Sequence, residues 1–267
     1  MEEILFLLDK FCVGDYFFLE LTMVTDWFPK SYLIQQCRAN LTKLCHIDSL
    51  PGKAPGIKAT PVKELIKEHL EEYLREKPTT NKIQIKINGD RAHMTWNSSF
   101  VLLSFSILWT GDQVMTAKGN WTLAVLRGKE DYTSLKELFG SIFSEITSMI
   151  TEAKVTVDYT EIKTEFFPGG DYKFIFPMLG LNGAIANYAC AWCKIQKNDR
   201  WKTDQHFSYF NSKPLSRYLQ ELKEMSEKSK NDYGCCKEPL LDIELDHIIV
   251  DELHLLLRIT DKCYLPI

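Results

Sequence analysis

The stretch Lys82-Ile-Gln-Ile-Lys-Ile-Asn-Gly-Asp90 decides the fold class, because its apolar and polar residues alternate strictly. A period of two residues places Ile83, Ile85 and Ile87 on one face of an extended chain. The opposite face then carries polar side chains that end in Asp90. The stretch therefore predicts a half-buried β-strand with an acid directly after its end.

The segments around this strand predict a sheet covered by helices. Apolar residues recur at helical spacing from Val62 to Leu74, and a later helix begins at the capping box Ser134-x-x-Glu137. Further strands are predicted at 100–109, 121–126, 154–167 and 240–245, and further helices at 172–181, 215–225 and 248–259. Three sequential strands followed by alternating helices and strands predict an α/β chain of the α+β type with a mixed sheet. The RNase H-like fold has this order, although other folds share it.

The bulk composition is that of a globular protein. The chain has 267 residues, of which 45% are hydrophobic and 25% charged, and its net charge is −4. An overall basic balance is absent, so nucleic-acid binding would need a local basic patch. The acidic start and the short apolar runs predict neither a secretory signal nor a membrane span, and hence a soluble intracellular protein.

Two groups of acids are candidates for metal chemistry. Asp90 follows the alternating strand, and Asp242, Glu244 and Asp246 alternate with apolar residues near the end of the chain. One interpretation makes Asp90 a turn residue and Asp246 a helix N-cap on a solvated face. The other brings one of the later acids beside Asp90, where paired carboxylates would bind Mg²⁺ or Mn²⁺ for phosphoryl transfer. Gly169-Gly170-Asp171 predicts a turn and a helix N-cap.

Cys190 and Cys193 form a CxxC motif, the strongest metal-binding signal among the eight cysteines. A structural zinc site needs two further ligands, and no convincing second pair is present. The candidates for those ligands are His206, Cys235, Cys236 and His247. A redox motif and two packed thiols are the alternatives to zinc.

Just beyond the CxxC motif lies the best nucleic-acid candidate of the chain. Lys194, Lys197, Arg200 and Lys202 occur among two tryptophans, with only Asp199 opposing them. A basic patch with interleaved aromatic residues is typical of nucleic-acid binding. A solvated loop is the competing interpretation.

On these motifs the chain resembles transposon-derived open reading frames and, more distantly, the catalytic subunit of the V(D)J recombinase and its Transib-type transposase relatives. In that family the first catalytic Asp follows strand one in a Gly-Asp turn, as in Gly89-Asp90. A Phe-rich strand and short helix lead to a zinc-binding CxxC, as 166–181 leads to Cys190. The second catalytic Asp opens a helix with Glu six positions later, as Asp246 and Glu252 do.

The resemblance implies an RNase H-like core over 81–267 with a zinc-type insertion at about 182–238, preceded by an N-terminal helical segment over 1–80. It implies Asp90 and Asp246 as ligands of a two-metal site with Mg²⁺ or Mn²⁺, Zn²⁺ at Cys190 and Cys193, DNA as partner, a nuclear location and a homodimer in a full-length form.

The family's third acid and its zinc-binding histidine pair have no counterpart in the sequence. We therefore expect a truncated or domesticated transposase core that does not cleave DNA alone. The alternative is a non-catalytic, zinc-bound module that binds DNA or protein and keeps only the fold.

Overall fold

The chain forms two compact units, Met1–Asp48 and Ser49–Ile267. The computed structural model describes residues 1–11, 13–44, 47–50, 56–59, 61–77, 80–95, 98–108, 119–200, 202, 204–227, 232–251 and 256. The unit boundary follows Asp48, whereas the sequence placed a domain boundary near residue 80. The predicted helix that begins at Val62 therefore lies in the second unit.

The first unit consists of three helices, α1 (Glu2–Lys10), α2 (Asp15–Val24) and α3 (Ser31–Leu44). Its small core contains Leu5, Phe18 and Ile34, one from each helix. The guanidinium of Arg38 on α3 bonds the carboxylates of Asp9 and Asp15 at 2.8 and 3.3 Å, which ties the three helices together. The helical character predicted for the start of the chain is therefore confirmed.

The second unit is built on an eight-stranded mixed sheet, whose first strand begins two residues before the unit boundary. Its strands are β1 (Ile47–Ser49), β2 (Gly56–Ala59), β3 (Lys82–Thr95), β4 (Ser98–Ile107), β5 (Trp121–Arg127), β6 (Lys154–Val157), β7 (Thr160–Gly170) and β8 (Ile249–Val250). The strand order is β1-β2-β5-β4-β3-β7-β6, with β8 also pairing β7. β4 runs antiparallel to β3 and β5, whereas β7 runs parallel to β3 and β8. The predicted α+β class with a mixed sheet is confirmed.

β3 forms because its alternating apolar and polar residues suit the two faces of the sheet, of which one is buried in the core and the other is partly exposed. Ile83, Ile85 and Ile87 are at most 1% exposed and belong to the main core. β3 continues past Asp90 to Thr95, since it pairs with β4 as a long hairpin in which Asp90 lies opposite Leu102. Asp90 is therefore a residue within the strand, and the strand does not end there as the sequence predicted.

Three helices of the second unit support the sheet: α4 (Val62–Glu76), α5 (Tyr132–Glu152) and α6 (Tyr172–Met178). α5 begins one turn before the predicted capping box, because the carboxylate of Asp131 caps it by accepting from the backbone N–H of Ser134 at 3.0 Å. Such a cap contributes about 1 kcal/mol. The apolar stripe of α5, from Leu135 to Met149, is buried in the core.

The described residues between 182 and 248 are mostly irregular and include two short α-helices, α7 (Phe207–Phe210) and α8 (Leu219–Ser226). Residues 240–245, predicted as a strand, are not in a strand. The helix predicted at 248–259 is wrong at its start, where β8 stands instead, and most of its remainder, including Glu252, lies outside the described residues. Among the described residues no helix is long and apolar enough to cross a membrane.

Candidate functional site

The candidate site lies where the parallel pairing of β3 and β7 ends. The last paired residues are Gly89 and Gly170, and each is followed directly by an aspartate, Asp90 and Asp171. Parallel strands end at the same edge of a sheet, and ligands bind at such carboxyl edges in many α/β proteins. The fold thus brings together two acids that are 81 positions apart in the sequence.

Glycine is required at both last paired positions, because β3, β7 and α6 approach closely there. A Cβ added to Gly89 would overlap the aromatic ring of Phe174 on α6. A Cβ on Gly170 would lie 2.6 Å from the carbonyl oxygen of Gly89, and its φ of +147° disfavours other residues. The two Gly-Asp pairs therefore reflect tight packing of the sheet edge under α6.

Backbone groups hold the two aspartates. The backbone N–H of Phe174 donates to Oδ1 of Asp171 at 3.0 Å, which caps α6 as the sequence predicted. The backbone N–H of Arg91 donates to Oδ1 of Asp90 at 2.7 Å. Asp171 is partly buried and Asp90 exposed. Each of these bonds uses one oxygen of its carboxylate, so both groups retain acceptor capacity for a ligand.

Glu130, in the turn between β5 and α5, is the third acid near this edge. Both of its carboxylate oxygens are buried and without a hydrogen-bond partner. The pKa of Glu130 is raised to about 7, mainly by burial and also by the negative charges of Asp171 and Asp90, against the opposing effect of Arg91 and Lys173. Three carboxylates and two cations therefore share one electrostatic environment.

Sequence reasoning missed two of these three acids for different reasons. Glu130 follows Gly128-Lys129 and precedes a helix cap, a context that is typical of a solvated turn. Asp171 was assigned only its capping role. The repeated Gly-Asp at the ends of two strands was the available signal, but it becomes informative only when the strands are known to be parallel neighbours.

The three carboxylates have the oxygen ligands that a divalent cation needs. Their side chains, however, do not point at one common position as the ligands of a metal centre do. Carboxylate oxygens are the ligands that Mg²⁺ and Mn²⁺ prefer. A buried carboxylate without a partner indicates a place where a proton or a cation is needed. In the described part of the chain, however, no three His, Cys, Asp or Glu side chains converge to hold a metal. The side chains would have to turn toward a common point.

The structure does not bring Asp246 to Asp90. Asp246 lies in a 3₁₀ turn, Leu245–His247, and its carboxylate bonds Nδ1 of His247 at 2.9 Å. Nε2 of the same ring lies 3.4 Å from Oε1 of Glu165, whose register partner on β3 is Gln84. Asp90 is six residues beyond Gln84, or ~20 Å along the strand.

The reason for this separation is the direction of β8. Because β8 runs parallel to β7 and pairs with its last residues, Asp246 precedes β8 and lies toward the amino ends of these strands. Asp90 and Asp171 lie beyond the other end of the parallel pairing of β3 and β7, directly after Gly89 and Gly170. The expected site shared by Asp90 and Asp246 is therefore incompatible with the sheet register, whereas a metal-binding role for Asp90 stays a prediction.

The CxxC motif places two thiols in contact. A hydrogen bond from Cys193 is the main cause that lowers the pKa of Cys190 to about 6, and backbone N–H groups of Trp192 and Cys193 act in the same direction. The pKa of Cys193 is raised by the same hydrogen bond. The sulfurs thus lie close together, as both zinc and redox interpretations require.

A buried guanidinium organises the loop that carries these thiols. Arg217 is 4% exposed and donates to the carbonyl oxygens of Cys190 and Cys193 at 3.0 Å each and to that of Tyr233 at 2.6 Å. It also approaches Sγ of Cys235 at 3.4 Å. A second cation near this charge would be repelled, so Arg217 opposes recruitment of Cys235 as a zinc ligand.

The other candidate zinc ligands have different partners. Nδ1 of His206 accepts from the backbone N–H of Ser208 at 3.3 Å, and the thiol of Cys236 donates to Oδ1 of Asn182 at 2.7 Å. His247 bonds Asp246 as described above. Zinc at Cys190 and Cys193 therefore stays a prediction, without a third ligand among the described residues.

The predicted basic patch is largely neutralised. Lys194 is nearly buried and pairs with Glu221 at 2.7 Å, and Lys202 pairs with Asp199 at 2.7 Å. Arg200 donates to the carbonyl oxygens of Ala186 and Asn187 at 2.8 and 3.0 Å. Lys197 is exposed. Three of the four cations thus bond groups of this segment itself or of its neighbours. A DNA-binding role for the segment therefore has less support than the sequence alone indicates.

Comparison with known proteins finds no protein-family model that matches the chain. No curated protein matches it either. Any function for the chain therefore rests on its sheet topology and on the acids at the edge of β3 and β7.

Proposed function

We propose that the chain is an RNase H-like core of the DNA transposase or recombinase type, in which Asp90 and Asp171 bind Mg²⁺ or Mn²⁺. The observation that carries this proposal is the pair of aspartates that directly follow the last paired residues of two adjacent parallel strands. The sheet supports it, because three sequential antiparallel strands lead through α5 to β7 beside β3 and then to β8. Asp171 replaces Asp246 as the second acid.

The proposed chemistry is cleavage of a phosphodiester bond in DNA. Bound metal ions would activate the attacking oxygen and stabilise the leaving one. The chain's own residues would supply the negative charge that binds these ions, from Asp90 and Asp171. Arg91 and Lys173, both exposed next to the aspartates, would attract the phosphate backbone.

The test is nicking of supercoiled plasmid DNA by the full chain in Mn²⁺. Whereas the missing third acid predicts no cleavage by the chain alone, the pairing of Asp90 with Asp171 leads us to propose slow nicking in Mn²⁺. This nicking should fall by at least 100-fold in Asp90→Asn and in Asp171→Asn, because loss of several kcal/mol of charge stabilisation corresponds to such a factor. Asparagine keeps the N-cap of α6, so Asp171→Asn changes charge with little change in fold. Asp246→Asn is the matched control, since this side chain is 82% exposed and bonds the ring of its neighbour His247.

The alternative function is a non-catalytic module that binds DNA or protein and keeps only the fold. Among the described residues no three His, Cys, Asp or Glu side chains converge to hold a metal, which favours this alternative. DNA binding that is equal in the wild type and in Asp90→Asn, with no nicking by either protein, would decide for this alternative.

A further inference from the structure

We infer that the first unit, Met1–Asp48, joins two copies of the chain, with α2 of one copy packed on α2 of the other. The observation behind this inference is the exposed apolar surface formed by α2 and the turn that follows it. A homodimer is implied by the motif resemblance, but no surface for it follows from the sequence. The acids near the edge of β3 and β7 take no part, so the inference is independent of the proposed cation site.

Large apolar side chains are exposed mainly in the first unit. More than half of the exposed large hydrophobic residues in the described part of the chain lie among residues 1–32. The buried core of this unit, in contrast, consists of Leu5, Phe18 and Ile34. Units shorter than about 70 residues commonly need oligomerisation or another staple, because so small a core stabilises them too little. A contiguous exposed apolar surface on such a unit indicates an interaction site.

α2 has apolar side chains on its outer face as well as on its inner one. Phe18 is buried in the core of the unit, whereas Tyr16, Leu19 and Met23 are exposed. These three exposed residues have the i, i+3, i+7 spacing of a seam along which two helices pack. A helix that is apolar on all sides is normally buried on all sides. Within the described residues, the outer face of α2 therefore lacks the packing that its sequence calls for.

The turn after α2 presents a tryptophan next to this face. The backbone N–H of Trp27 donates to Oγ1 of Thr25 at 3.1 Å, and the ring of Phe28 packs edge-on against Phe18 with centroids 6.1 Å apart. These contacts hold the turn on both sides of Trp27, while the side chain of Trp27 is 93% exposed. An aromatic side chain on a held backbone is typical of an anchor residue in a protein interface.

The area of this surface is sufficient for a stable dimer. Tyr16, Phe17 and Trp27 are 85, 64 and 93% exposed. Since an aromatic side chain buries roughly 150–250 Å², these three offer about 350–600 Å² in each copy and about 700–1,200 Å² in two copies. A specific interface buries at least ~1,000 Å² in total. Met23 and Val24, which are also exposed, add to this area.

The charges of α2 suit a second copy of the chain better than a strongly charged partner. Its charged residues are Asp15, whose carboxylate bonds the guanidinium of Arg38, and Glu20. A surface with so little free charge does not select nucleic acid or another polyion. It is matched by an equally apolar helix, and a twofold axis places the same surface on both sides of the interface.

Sedimentation equilibrium of the full chain over a range of protein concentrations tests the inference. We expect the wild type to dimerise. Trp27→Ala should raise the dissociation constant of the dimer by about 30-fold or more, because loss of a buried aromatic anchor has an effect of this size. Tyr159→Ala is the matched control, since Tyr159 is an equally exposed aromatic residue of the second unit.

Met23→Lys is a second variant, which places a charge on the outer face of α2 without removing a buried group. It should also weaken the dimer, whereas Ile185→Lys, at an equally exposed apolar position of the second unit, should not. If these variants of the first unit fail to fold, hydrogen exchange of the wild type replaces them. There the amides of α2 should gain protection as the protein concentration rises, and those of α4 should not.

The outcomes separate this inference from the proposed function. A wild type that stays monomeric at every concentration overturns the inference, whether or not it nicks DNA. A dimer that Trp27→Ala and Met23→Lys leave unchanged associates through another surface and overturns it as well. A dimer that is weakened in both variants and not in their controls supports it, even if Asp90→Asn shows that no cation site exists.

Discussion

At the scale of single residues, Glu130 makes the stability of the folded protein depend on pH. The pKa of Glu130 is raised to about 7 by folding, from a usual value near 4.5. Between these values the folded state binds more protons than the unfolded state, so stability falls as pH rises through 7. We expect the free energy of unfolding to decrease by roughly 1–3 kcal/mol between pH 5 and pH 8 from this group, after allowance for solvent screening.

Urea unfolding at the two pH values measures this change. Glu130→Gln should be nearly free of this contribution, so the difference between variant and wild type isolates it from other titrating groups. A wild type and variant with parallel pH profiles would show that the carboxylate is ionised in the folded protein.

Arg217 allows a second prediction at this scale. Its guanidinium serves several carbonyl acceptors at once, a geometry that an ammonium group cannot reproduce. Arg217→Lys should lower the free energy of unfolding by roughly 2–4 kcal/mol, because buried acceptors lose their donors. Denaturation curves would test this, with Arg127→Lys as control because Arg127 is exposed at the end of β5. Equal stability of the two variants would contradict the central role of Arg217.

At the scale of elements, the packing of α6 on the sheet edge depends on Gly89. Gly89→Ala should destabilise the protein by roughly 1–3 kcal/mol, since the new methyl group would force the ring of Phe174 away from β3. Gly140→Ala in α5 is a matched control, because a Cβ there meets nothing within 4 Å. This control should be stabilised by up to ~1 kcal/mol, as alanine favours a helix. Thermal unfolding of both variants measures the contrast.

Elements with a clear hydrophobic period could be predicted from the sequence, and those set by distant pairing could not. β3 and α5 follow from the spacing of their buried residues. Residues 240–245 also alternate, and Leu241, Ile243 and Leu245 are buried, yet this segment pairs with no strand. Alternating apolar and polar residues indicate an extended segment that packs one face on a core. A β-strand also needs a neighbouring strand to which its backbone can hydrogen-bond.

The candidate site shows the same limit at the scale of the whole molecule. The sequence pointed to Asp90, and the surrounding mixed sheet was correctly predicted. It could not show that β7 would lie beside β3, since this register joins residues about 80 positions apart. The choice between Asp171 and Asp246 depends on that register and on the parallel pairing of β8 with β7. The pairing of two acids at the edge of a sheet is thus a property of the topology more than of local motifs.

The parallel register of β3 and β7 also has a consequence for the order of folding. The β3–β4 hairpin closes a short loop, whereas β3 and β7 meet only after the chain of α5 and β6 has been gathered between them. Long loops lose more entropy on closure, and non-local parallel pairing is slow. In pulsed hydrogen exchange during refolding, amides of the hairpin should gain protection before those of 165–170. Simultaneous protection would argue against this sequence of events. If β3 and β7 pair last, Asp90 and Asp171 become neighbours only late in folding, so a newly made chain would lack the proposed cation site until its core was complete.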